Sequence, residues 1–117
     1  MDNLLLLLAG IGGIVVGGVH GYLGQTQVLA RMRSDIPAIT ALNGAVFHLS
    51  TFYWTLGGVA LLWAAYVEDM GVRQTIAIGV AVIYAAGAVA NFTITRGRHF
   101  GWMLLAALTV MALLGGG

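Results

Sequence analysis

The fold is decided by residues 4–23, whose sequence is LLLLLAGIGGIVVGGVHGYL. The stretch contains no Asp, Glu, Lys or Arg, and about 20 apolar residues in a helix suffice to cross a bilayer. Six glycines lie within it, of which Gly13, Gly17 and Gly21 recur at every fourth position. So much glycine would destabilise a soluble helix, whereas in lipid a ridge of small residues lets another backbone approach closely. We therefore predict a membrane-spanning helix over residues 4–23.

The composition of the whole chain indicates the same class of protein. Of its 117 residues, 60% are hydrophobic and only 8% are charged, and the mean hydropathy is +0.95. Soluble domains carry about 25% charged residues, and a soluble domain of this size could not bury so much apolar surface. Cysteine is absent, which excludes disulfides, thiolate metal sites and cysteine nucleophiles. We expect an all-α integral membrane protein.

The remaining apolar stretches predict three further spans, at about residues 38–66, 73–94 and 100–114. Between the first two spans, residues 25–34 form an amphipathic segment that we expect to lie in the headgroup region. We expect Asp35 to cap the second helix, with Pro37 in its first turn. The connections are short, so neighbouring helices should run antiparallel. Residues 1–117 are thus predicted to form one domain, an up-down-up-down bundle of four transmembrane helices.

The arginines predict an orientation. Arg31 and Arg33 follow the first span, Arg96 and Arg98 follow the third, and the opposite side carries only Arg73. Because cytoplasmic loops are enriched in basic residues, we expect these two loops to face the cytoplasm and both termini to face away from it. In length and span count the chain resembles small four-span proteins of bacterial inner membranes, and we expect it in that membrane.

The antiparallel topology places several polar residues at the predicted cytoplasmic end, namely His20, Asn43, His48, Asn91 and His99. On the third span a stripe of small and polar residues shares one face and should point into the bundle: Gly79, Ile83, Gly87, Asn91 and Thr95. Polar side chains in spans tend to face the bundle interior and to mark functional sites. We therefore predict a pocket for a small amphiphile or cofactor at this end. The alternative is that these side chains only form hydrogen bonds between helices.

Several ligands fit this prediction. A lipid headgroup would be drawn by the four arginines Arg31, Arg33, Arg96 and Arg98, although the orientation rule alone also explains them. A quinone or another flat ligand would suit the aromatic residues of the second span, Phe47, Phe52, Tyr53 and Trp54, which can equally serve as interfacial anchors. Haem b between His20 and His48 is a third option. A metal site is not expected, because no carboxylate joins the histidines.

Other functional classes are less well supported by the sequence. No Asp or Glu falls within a predicted span, so a buried carboxylate pair for acid–base catalysis is excluded. His48 and Ser50 lie two residues apart on one helix and should point in different directions. The alternatives to ligand binding are an accessory or scaffold subunit of a larger membrane complex, and a small transporter that dimerises through the Gly13, Gly17 and Gly21 ridge. Membrane lipids are the expected partners, and no nucleic acid is expected.

Overall fold

The computed structural model of the chain describes residues 2–117 and is all-helical over that range. It contains four α-helices: α1 (Asp2–Leu23), α2 (Pro37–Ala64), α3 (Met70–Thr95) and α4 (Gly101–Gly116). Helix α1 continues through a π-helical turn (Gly24–Val28) and a 3₁₀ turn (Leu29–Arg31). We call these two turns the α1 extension. Much of the predicted amphipathic segment is therefore a direct continuation of the first helix.

Three of the helices are long and apolar enough to cross a membrane: α1 with its extension, α2 and α3. Helix α4 is apolar as well, but its 16 residues span about 24 Å at 1.5 Å per residue. The hydrocarbon core of a bilayer is about 30 Å thick, so α4 falls short of it. The all-helical prediction is confirmed, and three of the four predicted spans coincide with a helix of sufficient length and apolarity.

The four helices form a closed ring in which each packs against the next and α4 returns to α1. The largest fully buried side chains come one from each helix: Leu6, Leu61, Tyr84 and Leu105. The Tyr84 hydroxyl donates a hydrogen bond to the Trp54 carbonyl at 3.1 Å, which links α3 to α2 inside the core. Of the four interfaces around the ring, that between α2 and α3 is the least closely packed. This loose interface leaves room for the cleft described below.

The glycine ridge of α1 packs against α2 within the same chain. A Cβ at Gly17 would lie 2.3 Å from Thr55 Oγ1, and a Cβ at Gly21 would lie 2.7 Å from Thr51 Cγ2. The later residue of α1 thus contacts the earlier residue of α2, which shows that the two helices are antiparallel. By contrast, a Cβ at Gly18 would meet no atom within 4 Å. The ridge is thus occupied inside the monomer, and this packing lends no support to its use by a second copy.

The prediction that Asp35 caps α2 is wrong. The N-cap residue is Ile36, which makes no side-chain capping bond, while Pro37 occupies the first helical turn as expected. Proline restricts the preceding residue to an extended conformation, and Ile36 accordingly has φ −97° and ψ 110°. Asp35 therefore precedes the N-cap position by one residue. The chain is held here by Ser34 and Thr40 instead, because the Ser34 amide donates to Thr40 Oγ1 at 2.9 Å.

At the opposite end of the bundle, Arg73 is buried and joins three helices. Its side chain is only 7% exposed, and both Nε and Nη2 donate to the Gly115 carbonyl near the end of α4, at 3.2 and 2.8 Å. Nη1 donates to the Asn3 side chain at the start of α1. The last carbonyls of a helix lack intrahelical donors, so the guanidinium satisfies a group that the fold would otherwise leave unpaired.

Candidate functional site

A cleft of about 610 Å³ lies between α2 and α3, in the half of the bundle that we assigned to the cytoplasmic side. It is lined by His20 from α1, by Phe47, Ser50, Tyr53 and Trp54 from α2, and by Ile83, Ala86, Gly87, Ala90, Asn91, Ile94 and Thr95 from α3. Several lining residues are also exposed on the outer surface, among them Tyr53 at 48% and Ile94 at 81%. The cleft therefore opens sideways between the two helices, and we call it the lateral groove.

The two walls of the lateral groove differ in character. The α2 wall is largely aromatic, whereas the α3 wall combines the small residues Ala86, Gly87 and Ala90 with larger aliphatic and polar side chains. A Cβ at Gly87 would lie 2.8 Å from Trp54 Cζ2, so the glycine allows α3 to pack directly on the indole ring. The two walls meet at this contact, and elsewhere the groove has aromatic side chains on its α2 side and mainly apolar side chains on its α3 side.

His20 lines the groove and contacts two aromatic rings of α2. It stacks on Phe47 with ring centroids 4.3 Å apart and planes 4° from parallel, and it contacts the Trp54 ring at 4.5 Å. Its Nε2 lies 3.2 Å from Ser50 Oγ, while Ser50 Oγ donates to the Phe47 carbonyl at 2.7 Å. A serine hydroxyl has one proton, so Nε2 must be the donor to Oγ. In the neutral ring, Nδ1 then keeps its lone pair.

Asn91 and Thr95 form the polar end of the α3 wall. Thr95 Oγ1 donates to the Asn91 backbone carbonyl at 2.6 Å. Within residues 2–117 the Asn91 carboxamide itself has no hydrogen-bond partner, although it lines the groove. The amide can therefore both donate to and accept from a bound molecule. Together with His20 and Ser50, these residues place four polar side chains at one end of the groove, apart from Tyr53 and Trp54 further along the α2 wall.

Of the five residues predicted to share a pocket, only His20 and Asn91 line the lateral groove. Asn43 lies in a separate cavity beside the α1 extension. His48 points toward the π-helical turn, where its Nε2 lies 2.8 Å from Gln25 Oε1. The structure thus brings the five residues to one end of the bundle but distributes them among different surroundings.

His99 has a local role at the start of α4. Its Nδ1 accepts a hydrogen bond from the Gly101 amide at 3.1 Å, one of the first amides of that helix, which have no intrahelical acceptor. Its ring stacks on Phe100 at 4.9 Å. These contacts make His99 a capping residue of α4 rather than a lining residue of the groove.

The arrangement of the histidines bears on the cofactors considered above. The Nε2 atoms of His20 and His48 contact different side chains, Ser50 and Gln25, and His48 lines neither the lateral groove nor the cavity beside the α1 extension. Among residues 2–117, no three His, Cys, Asp or Glu side chains are grouped closely enough to hold a metal ion. Neither of these two cavities is therefore lined by both histidines, as a haem held between His20 and His48 would require.

The predicted anion-binding arginines all lie exposed at this end, in different positions. Arg33 lines the cavity beside the α1 extension. Arg96 is the residue after the end of α3 and adopts a left-handed conformation with φ 52°. Arg31 ends the 3₁₀ turn, and Arg98 follows in the connection to α4. None of the four lines the lateral groove.

The sequence reasoning missed the contribution of Ser50. It considered a pair with His48 on the same helix, whereas the contact is made with His20, 30 residues away on α1. Spacing along one helix carries no signal for a contact between two helices. The direction of the hydrogen bond also matters. His20 donates to Ser50, so it does not act as a base that would activate the hydroxyl as a nucleophile.

The α3 stripe was the more useful signal. Four of its five members, Ile83, Gly87, Asn91 and Thr95, line the groove, while a Cβ at Gly79 would meet open space. Hydrogen bonding by neutral groups and contact with apolar walls are the chemistry that these residues offer.

Comparison of the chain with protein-family models, with curated proteins and with solved structures finds no match.

Proposed function

We propose that this chain is a small, non-enzymatic polytopic membrane protein that binds an amphiphile in the lateral groove. In this proposal all four helices cross the membrane, most naturally a bacterial inner membrane, and the arginine-bearing connections face the cytoplasm. The observation that carries the proposal is the groove itself, since it opens sideways, has apolar walls and gathers neutral polar groups at one end.

The surface of the bundle supports the membrane part of the proposal. Large apolar side chains are exposed on every helix, for example Tyr22 at 69%, Leu42 at 61%, Val89 at 64% and Leu114 at 62%. Soluble monomers rarely expose apolar patches larger than about 300–600 Å². Lipid around the bundle would cover these side chains. A bilayer accommodates a span as short as α4 by local thinning, at a modest free-energy cost.

The direction of the opening supports lateral entry. In the proposed topology the gap between α2 and α3 faces the hydrocarbon region, so an amphiphile would enter from the bilayer rather than from water. Its apolar part would lie beside Tyr53 and Ile83, toward the middle of the bundle, and its polar head would lie near His20 and Asn91. The volume of about 610 Å³ falls within the range of about 300–1,000 Å³ typical of small-molecule sites.

The chemistry of the lining favours a neutral, flat head. Among residues 2–117 no charged side chain lines the groove, and an ionic head would lose its hydration there without gaining a counter-charge. His20 Nδ1 can accept a hydrogen bond, and the Asn91 amide can donate one. Of the ligands considered, a quinone-type molecule satisfies these conditions best, because its ring is flat and its head is neutral. A quinone carbonyl could accept from the Asn91 amide, and in the reduced form a quinol hydroxyl could donate to His20 Nδ1.

The test is to fill the groove at its rim. Ala90 lines the groove and is exposed, while Ala107 is exposed on α4 and does not line it, so Ala90→Phe and Ala107→Phe form a matched pair. Protein that also carries Trp63→Phe and Trp102→Phe, so that Trp54 is its one remaining tryptophan, would be purified in a mild detergent and titrated with a decyl-chain quinone, and quenching of Trp54 fluorescence would report binding. We expect Ala90→Phe to abolish most of the quenching and Ala107→Phe to retain it.

Two results would overturn the proposal. Equal quenching of both variants would show that the quinone does not occupy the groove. A protein that carries no small molecule after extraction, binds no quinone and purifies as part of a larger assembly would instead favour the accessory-subunit alternative. Native mass spectrometry of the same preparation gives both measurements, and it would also reveal the dimer that the transporter alternative requires.

A further inference from the structure

A second cavity, of about 320 Å³, lies between the α1 extension and the first turns of α2. We call it the extension cavity. It is lined by Gln25, Leu29, Ala30, Met32, Arg33, Thr40, Asn43 and Gly44. It shares no lining residue with the lateral groove, so its occupancy can be measured separately from that of the groove, although the source of its ligand rests on the membrane topology proposed above.

The extension cavity carries a positive charge in its lining, whereas the lateral groove is lined by uncharged residues. Arg33 is its one charged residue among residues 2–117, and neither Asp nor Glu lines it. The Asn43 amide lies nearby, engaged only through a long contact of 3.4 Å between Nδ2 and the Met32 carbonyl. A guanidinium with an amide donor beside it and no competing carboxylate is the arrangement that binds oxyanions, phosphate above all.

The π-helical turn borders this cavity through Gln25. Its closing bond runs from the Leu29 amide to the Gly24 carbonyl, five residues apart, which widens the helix locally. A Cβ at Gly24 would press against the Phe47 ring, so the glycine lets the turn pack closely on α2. Just beyond it, Gln25 is held by His48 at 2.8 Å. Short π-helical turns are frequent at functional sites, and this one positions the segment that carries Arg33 beside α2.

The position of the cavity indicates where the anion would come from. It lies at the end of the bundle that carries four of the five arginines, which in the proposed topology is the cytoplasmic interface. Basic pockets at that level bind the headgroups of anionic lipids. We infer that the extension cavity binds a phosphate oxyanion, such as the phosphodiester of an anionic phospholipid, with Arg33 as the charged ligand and Asn43 as a second donor.

Arg33→Gln and Arg98→Gln provide the test, because both remove one exposed positive charge at the same end and only Arg33 lines the cavity. Native mass spectrometry in a neutral detergent would measure binding of short-chain phosphatidylglycerol, with phosphatidylcholine as the reference lipid. We expect Arg33→Gln to weaken phosphatidylglycerol binding by about tenfold to a hundredfold, the effect of losing a charge-assisted hydrogen bond. Arg98→Gln should change it by less than about twofold.

Two further variants and a competing ligand distinguish the possible explanations of such a loss. Asn43→Ala should weaken binding less than Arg33→Gln does, and Arg33→Lys should fall between wild type and Arg33→Gln, because lysine keeps the charge without the bidentate geometry. Competition by inorganic phosphate at similar concentration would identify a free phosphate as the source and would still support the oxyanion site. Equal losses for Arg33→Gln and Arg98→Gln, or equal binding of both lipids, would overturn the inference, since only a diffuse basic rim would then remain.

Discussion

Replacing Gly17 by alanine should force α1 and α2 apart. The added Cβ would lie 2.3 Å from Thr55 Oγ1, 3.0 Å from the Thr55 amide nitrogen and 3.2 Å from the Thr51 carbonyl oxygen. Rotation of the Thr55 side chain could relieve the first contact, at the expense of its hydrogen bond to the Thr51 carbonyl, now 2.8 Å long. The other two contacts involve backbone atoms and can be relieved only by moving a helix.

The size of the effect follows from two opposing terms. Inserting a methyl group into a close-packed interface costs about 1–3 kcal/mol, and loss of the Thr55 hydrogen bond adds about 1 kcal/mol. Alanine is favoured over glycine within a helix by about 1 kcal/mol. We therefore expect Gly17→Ala to lower the free energy of unfolding by about 1–3 kcal/mol.

The adjacent residue supplies the control. A Cβ at Gly18 meets no atom within 4 Å, so Gly18→Ala should leave the stability unchanged or raise it by up to about 1 kcal/mol. Both variants would be unfolded reversibly by titration with a denaturing detergent, with helicity followed by circular dichroism. If the two free energies agree within about 0.5 kcal/mol, an error typical of such comparisons, then Gly17 does not face α2 and the α1–α2 interface described here is incorrect.

Two further predictions concern individual backbone and side-chain groups. Thr51 Oγ1 is buried without a hydrogen-bond partner, so its hydroxyl has lost its hydration without gaining a bond in return. Thr51→Val should therefore raise the free energy of unfolding by about 1 kcal/mol, and a decrease in the same titration would show that the hydroxyl is satisfied. Arg96 adopts φ 52° after the last turn of α3, a conformation that glycine adopts with little strain. Arg96→Gly should stabilise the protein by about 0.5–1 kcal/mol, whereas Arg98→Gly removes the same charge and should not; equal effects of the two would assign the change to charge alone.

The helices could be predicted from the sequence because each rests on a strong and local signal. The apolar run of residues 4–23 and the register of Gly17 and Gly21 predict both a helix and the face on which a second helix packs. The start of α2 was harder to place, since Asp35 is a good capping residue by type. The restriction that Pro37 imposes on the residue before it outweighed that preference and moved the helix start by one residue.

The candidate site could be predicted only in part. His20 and Asn91 were identified because polar residues within apolar spans are conspicuous, and antiparallel topology places them at the same end. The groove itself depends on how closely α2 and α3 pack, which neither helix encodes alone. The surroundings of His48 depend on the π-helical turn after α1, and a single widened turn leaves no trace in the hydropathy pattern. The interhelical contact between His20 and Ser50 was equally invisible in the linear sequence.

The burial of Arg73 has a consequence for biosynthesis. Its acceptor, the Gly115 carbonyl, lies 42 residues further along the chain, so a nascent polypeptide that has produced α3 still lacks the group that satisfies this guanidinium. In the proposed topology, a lone α3 would expose an unpaired cation at the membrane surface until α4 is complete. Insertion of α3 and α4 together, as a preformed hairpin, avoids that intermediate. The final residues of the helical bundle would then complete its assembly, as the hairpin docks onto α1 through Asn3.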